Sequence, residues 1–173
     1  NTRSVDIPEL PQGFIIMFAG NLGEAQNLEN VLKAASLLKE HKMIHWVFLG
    51  DGRKKPWMEH YVAENHLEDT VHLMGRYPID AMPEFFKKAD VMLVSLADEL
   101  VFNLTLPAKV QAYMSCAKPI VAMLNGEGQE IVKDAGCGWC VEATDVEGLA
   151  REVLSICRIS NEQLKAIGQN GYD

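Results

Sequence analysis

The chain has 173 residues, 48% hydrophobic and 23% charged, a balance that supports one ordinary core without disulfide or metal staples and excludes a disordered or fibrous chain. Sixteen lysines and arginines against 24 aspartates and glutamates give a formal charge of −8, which argues against nucleic acid as a partner and against general attraction to an anionic bilayer, leaving room for a local basic pocket. The longest apolar runs, Val91 to Ala97 (broken by Ser95) and Ile120 to Leu124, fall far short of the about 20 residues a membrane span needs.

The lead-in from Asn1 to Gly13 holds Pro8 and Pro11 but neither an initiator Met nor an apolar signal region, so residues 1–13 read as a linker and 14–173 as one α/β unit of a longer chain. Phe14 to Ala19 is an unbroken apolar run that stops at Gly20, the pattern of a buried parallel strand. Leu28, Val31, Leu32, Ala35 and Leu38 then share one helical face, with Asn27 placed to cap the start. Trp46 to Leu49 predicts a strand closed by Gly50-Asp51-Gly52, Pro56 to Asn65 a helix, and Thr70 to Met74 a strand ending at Gly75. The alternation continues with a helix over Ala81 to Lys88, a strand over Val91 to Leu96, a helix over Pro107 to Cys116 and a strand over Pro119 to Leu124. Glu127 to Ala135 predicts a helix stopped by Gly136, Trp139 to Val141 a short strand, and Val146 to Ile159 a closing helix; Ser160 to Asp173 reads as a polar helix or fraying tail. Apolar strands without a period of two, alternating with helices, predict a doubly wound, Rossmann-like parallel sheet of about six strands with helices on both faces. Ligands of such sheets bind beyond the carboxyl ends of the strands, where the loops Gly20 to Gly23, Gly50 to Gly52, Gly75 and Asn125 to Gly128 carry small residues.

Within that edge, Gly20-Asn-Leu-Gly-Glu-Ala-Gln26 leads from strand to helix, so its backbone N–H groups can face an anion. Its G-x-x-G spacing is neither a dinucleotide fingerprint nor a Walker loop, and tight turning alone would also account for the glycines. Pro107 suits the first turn of the helix behind Thr105 and Leu106. Lys109 sits one turn in, where its charge opposes the helix dipole; an anionic partner accounts for that placement, and a solvated surface lysine is the alternative. Asp98 and Glu99 are adjacent on a loop, a placement that more often serves solvation than acid–base work. His72 reads as a core or edge residue of its strand, Ser95 has no partnering His, and no nucleophile elbow occurs, so hydrolase chemistry is unsupported. Cys137 and Cys140 form a lone C-x-x-C pair without the further ligands of a zinc site or the helix N-terminus of a redox site; free, mostly buried thiols and no bound metal are expected.

Five segments in register resemble the C-terminal half of the retaining glycosyltransferases with two Rossmann-like domains, the GT-B architecture of the family 4 type. They are Phe18-Ala-Gly-Asn-Leu-Gly23, Phe48-Leu-Gly-Asp-Gly52, Val71-His-Leu-Met-Gly75, Pro83 to Leu93 with Ala89-Asp90, and Pro107-Ala-Lys109 to Val121. The last is similar to the P-S-K-x-x-x-Y helix of the bacterial subset assembling surface polysaccharides, fucosamine transferase-like members included. The resemblance implies a nucleotide-sugar donor, UDP-linked in the main, with the base near the loop after Gly75 and the diphosphate between the first loop and the Pro107 helix. It implies metal-independent retaining transfer without a cofactor, and substrate contacts from Gly20, Asn21, Gly23, Gly50, Asp51, Gly75, Arg76, Tyr77, Thr105, Leu106, Lys109, Gln111 and Glu127.

The family's ribose-binding Glu falls at Ala112 and the first Glu of its E-x7-E pair at Leu104; its usual Arg and Lys correspond roughly to Asn21 and Gln26, leaving Lys109 and Arg76 for the diphosphate. Ala117, with Cys116, stands where a Gly is usual, a packing change of no evident chemical consequence. The resemblance further implies an N-terminal acceptor domain outside these residues, catalytic groups in the cleft between the two halves, a saccharide or lipid-linked acceptor, and a cytoplasmic enzyme held at the inner face of the membrane through that other domain. A half of a UDP-sugar 2-epimerase, or a non-catalytic nucleotide-binding or interaction domain, are the alternative readings.

Overall fold

The computed structural model describes residues 6–103 and 108–173. Strands β1 (Phe14–Ala19), β2 (Ile44–Leu49), β3 (Val71–Gly75), β4 (Val91–Ser95), β5 (Ile120–Met123) and β6 (Gly138–Val141) form one sheet in the order β3-β2-β1-β4-β5-β6, and each pairing is parallel. This is the doubly wound order, with its topological switch between β1 and β4. The helices are α1 (Leu28–Leu37), α2 (Lys55–Glu64), α3 (Met82–Lys88), α4 (Leu100–Asn103), α5 (Ala108–Ser115), α6 (Glu127–Ala135), α7 (Val146–Ile156) and α8 (Asn161–Tyr172).

Every residue of β2 and of β4 is buried, because helices cover both faces of the sheet. Ile16 and Phe18 of β1 pack into one layer with α1, α2 and α7, while Ile15 and Met17 pack into the other with α3, α5 and α6. Each such side chain contributes roughly 1.5–3 kcal/mol by leaving water. The Ala89-Asp90 pair has a structural reason: the Asp90 carboxylate accepts the Ile15 N–H at 2.7 Å, fixing the start of the central strand, and burial raises its pKa.

Several expected details differ. Asn27 does precede α1, but its backbone is left-handed (φ 59°) and its side chain does not cap the helix; it donates instead to the Ala143 carbonyl at 2.6 Å and accepts from Asn30. β2 begins at Ile44, two residues earlier than expected, because His45 is buried with its ring 3.0 Å from His72, nitrogen to nitrogen, across β2 and β3. Burial holds both imidazoles below the usual histidine range. α7 ends at Ile156, and the tail is a second helix, α8, opened by a capping box between Ser160 and Gln163.

Ala117 is not merely a packing change. α5 closes in a Schellman turn, with Lys118 N–H on the Tyr113 carbonyl and Ala117 N–H on that of Met114, which puts Ala117 in the left-handed region at φ 55°. An alanine there is strained by about 1 kcal/mol relative to glycine. Ala117→Gly is therefore expected to stabilise the chain by up to about 1 kcal/mol, read as a higher denaturation midpoint, less the entropy glycine adds to the unfolded chain.

Candidate functional site

A cleft of about 1000 Å³ opens at the carboxyl edge of the sheet, between the loops after β1, β2 and β3 on one side and α5 on the other. Its floor is made of glycine loops crossing one another. Gly20 N–H donates to the Leu49 carbonyl at 2.9 Å and Gly50 N–H to the Gly75 carbonyl at 2.8 Å. A Cβ at Gly50, whose φ is +141°, would collide with the Gly20 carbonyl oxygen, and one at Gly20 with the Lys109 side chain. Absence of side chains at these two positions thus lets the loops and the lysine close on each other.

Lys109, the second described residue of α5, crosses the cleft toward β1. Its ammonium lies 3.9 Å from the centroid of the Phe18 ring and donates to Gln26 Oε1 at 3.2 Å. Among the described residues no carboxylate pairs with it, and burial lowers its pKa to about 8. Lys54, at the start of α2, shows the opposite arrangement: it is paired with Glu24 and Glu29, and its hydrogen bond to Glu29 raises its pKa. An enclosed cation bound only to neutral groups is costly unless an anion arrives from outside.

The rest of the wall is apolar and aromatic. Tyr113, one turn after Lys109 on the same face of α5, donates to the Ala19 carbonyl at 3.1 Å and meets Phe86 edge-on; burial pushes its phenol up to about 12. Tyr77 packs edge-on against Phe85, and Ile79, 84% exposed, stands at the rim. Arg53 and Arg76 are exposed on the cleft wall, and Asp51 is the one carboxylate among the described lining residues, its Oδ1 accepting the Gly52 N–H.

Of the residues singled out from the sequence, Gly20, Asn21, Gly50, Asp51, Arg76, Tyr77 and Lys109 line this cleft together. Gly23 precedes a short turn of helix, Gly75 supports the floor through its carbonyl, and Gln111 and Glu127 are exposed outside the lining. Thr105, Leu106 and the expected first-turn Pro107 lie outside the described residues, as does Leu104. Arg53, Met82, Phe86 and Tyr113 line the cleft without having been singled out. The spacing Lys109 to Tyr113 and Met82 to Phe86, one helical turn each, was the available signal.

Comparison with known proteins agrees with the fold. The family model described as glycosyl transferases group 1 matches residues 4–173. The chain is 32% identical over 168 residues to the probable glycosyltransferase WbjE of Pseudomonas aeruginosa, covering 94% of this chain and 40% of that protein. It superimposes on Anabaena Alr3699/HepE in complex with UDP with a TM-score of 0.77 at 16% identity, covering 93% of this chain and 43% of that one. With the C-terminal domain of the group 1 glycosyl transferase LpcC from Francisella tularensis the TM-score is 0.74 at 19% identity, covering 95% of this chain and 85% of that one. The chain thus spans well under half the length of the curated relatives it matches. A family match across nearly the whole sequence, borne by a fold with its cleft at the switch of a parallel sheet, establishes that the chain belongs to the glycosyl transferases group 1 family.

Proposed function

We propose that this chain is the donor-binding half of a retaining glycosyltransferase of the family 4 type, taking a UDP-sugar and working, with no cofactor or metal, together with a further domain that brings a saccharide or lipid-linked acceptor. The observation that carries the reading is Lys109, an enclosed ammonium on the cleft whose partners among the described residues are Gln26 and Phe18. A nucleoside diphosphate supplies the missing anion. Its phosphates would lie between Lys109 and the first glycine loop at Gly20 and Asn21, and its base against the aromatic side formed by Tyr77, Phe86 and Tyr113. As the sugar leaves, negative charge grows on the diphosphate, and a fixed ammonium in a partly dry cleft stabilises that charge. The UDP bound to Alr3699/HepE, a protein of the same fold, supports the choice of nucleotide.

Such an enzyme would work in the cytoplasm, at the inner face of a membrane if its acceptor is lipid-linked; among the described residues no helix is long and apolar enough to cross a membrane. Titration calorimetry with UDP, GDP, TDP and ADP tests the reading. UDP is expected to bind best, with a Kd between about 10 µM and about 1 mM, and the chain alone to transfer no sugar, because the acceptor side of the cleft is supplied from elsewhere. Absence of binding by every nucleotide at millimolar concentration overturns it.

A further inference from the structure

Resting on that reading, we infer that Gln26 is the positioning residue of the anion site: its neutral amide oxygen orients the Lys109 ammonium toward the cleft while leaving the charge uncompensated for an incoming diphosphate. Gln26 closes the short helical turn Glu24–Gln26 after the first glycine loop. Its side-chain Oε1 accepts from Lys109 Nζ at 3.2 Å. Its own backbone is held in turn: the buried Ser95 hydroxyl, at the end of β4, donates to the Gln26 carbonyl at 2.6 Å, and Ala97 N–H donates to the Ala25 carbonyl at 2.9 Å. The turn is thereby clamped to the strand across the topological switch from β1, and the amide oxygen is presented from a fixed base.

The choice of an amide matters chemically. A carboxylate at this place would hold the ammonium in an ion pair, as Glu24 and Glu29 hold Lys54 a short way along the same edge. An apolar residue would leave the ammonium without an acceptor and free to swing out into water. Glutamine alone of these options gives direction without neutralisation. The Phe18 ring beneath Lys109 adds attraction of the same neutral kind. The other charged or titratable groups on the cleft are Asp51, whose Oδ1 is engaged by the Gly52 N–H, the exposed Arg53 and Arg76, Tyr77, and Tyr113, engaged with the Ala19 carbonyl; among the described residues none of them bonds Lys109.

The test is Gln26→Glu, with Gln26→Leu beside it and UDP as the probe. Two readouts are taken: UDP affinity by calorimetry, and titration of the Lys109 side chain by NMR in the absence of nucleotide. Gln26→Glu is expected to leave the thermal midpoint unchanged or higher, to move the Lys109 titration up by at least one pH unit from about 8, and to weaken UDP at least about tenfold. Gln26→Leu is expected to weaken UDP severalfold without that upward move. A folded Gln26→Glu variant with wild-type UDP affinity, or with an unmoved Lys109 titration, overturns the assignment of Gln26. If wild type itself binds no UDP, the functional reading fails, while the titration still decides whether Gln26 sets the charge of Lys109. Should Gln26→Glu not fold, wild-type UDP affinity in a folded Gln26→Leu variant overturns the assignment.

Discussion

Replacing Lys109 by methionine is expected to do two opposite things: to weaken UDP binding by about ten- to a hundredfold and to raise the stability of the unliganded chain by about 1–3 kcal/mol. The first follows from losing the enclosed ammonium on the cleft, the second from no longer burying a charge whose partners among the described residues, Gln26 and Phe18, are neutral. A solvated surface lysine would change neither. The same group sets a pH dependence. Lys109 titrates near 8 in the folded chain and near its ordinary 10.5 when unfolded, so between these values the unfolded chain holds more protons and stability of the unliganded chain rises with pH. Bound phosphate favours the charged ammonium, so UDP affinity is flat below about pH 8 and falls above it, up to tenfold per pH unit. Calorimetry at pH 7, 8 and 9 on wild type and Lys109→Met checks this. A wild-type affinity that is constant across that range, or a variant with unaltered binding, removes Lys109 from the site.

The second large effect is on stability. Gly50→Ala is expected to cost about 3 kcal/mol or more, combining a left-handed backbone with a direct overlap on the Gly20 carbonyl, and to abolish UDP binding in whatever folded fraction remains. Gly75→Ala is the matched comparison: its φ is +86°, but a Cβ there meets nothing within 4 Å, so only the backbone cost of about 1–2 kcal/mol applies. Urea denaturation of the two variants separates collision from conformational strain. Equal losses would show that the crossing of the two loops does not govern the floor of the cleft.

The strands of this chain are readable because each is a short, largely apolar run, closed at β1, β2 and β3 by a glycine, and β1 and α6 fall on the expected residues. Reading weakens where a polar residue is buried by a partner distant in sequence. His45 looks like a loop residue until His72 is beside it, and Asn27 looks like a cap until Ala143 takes its amide. The site shows the same division. The placement of Lys109 at a helix start could be read directly, but its burial could not, since Phe18, Gly20 and Gln26 reach it from the far side of the switch. Tyr113 and Phe86 belong to α5 and α3 faces that serve as both core and cleft wall, and apolar periodicity does not distinguish the two roles. The capping box that makes the tail a helix, Ser160 with Gln163, is plain in the sequence once the second residue is counted.

Because β1 pairs with β4, 75 residues away at the Ile15–Asp90 contact, instead of staying with its sequence neighbours alone, the order in which the chain assembles bears on when it can bind. The first three strands and their helices could collapse early as a local β-α-β-α-β unit carrying every glycine of the cleft floor. That unit would lack the Lys109 ammonium, which arrives only after β4 has docked and the chain has run on into α5. Closing so long a loop is the slow, entropically expensive step of a parallel sheet. On the proposed function, nucleotide binding would be a property of the finished topology: a half-folded chain would display the loops without Lys109, and ligand added during refolding would stabilise only molecules that have already passed that step.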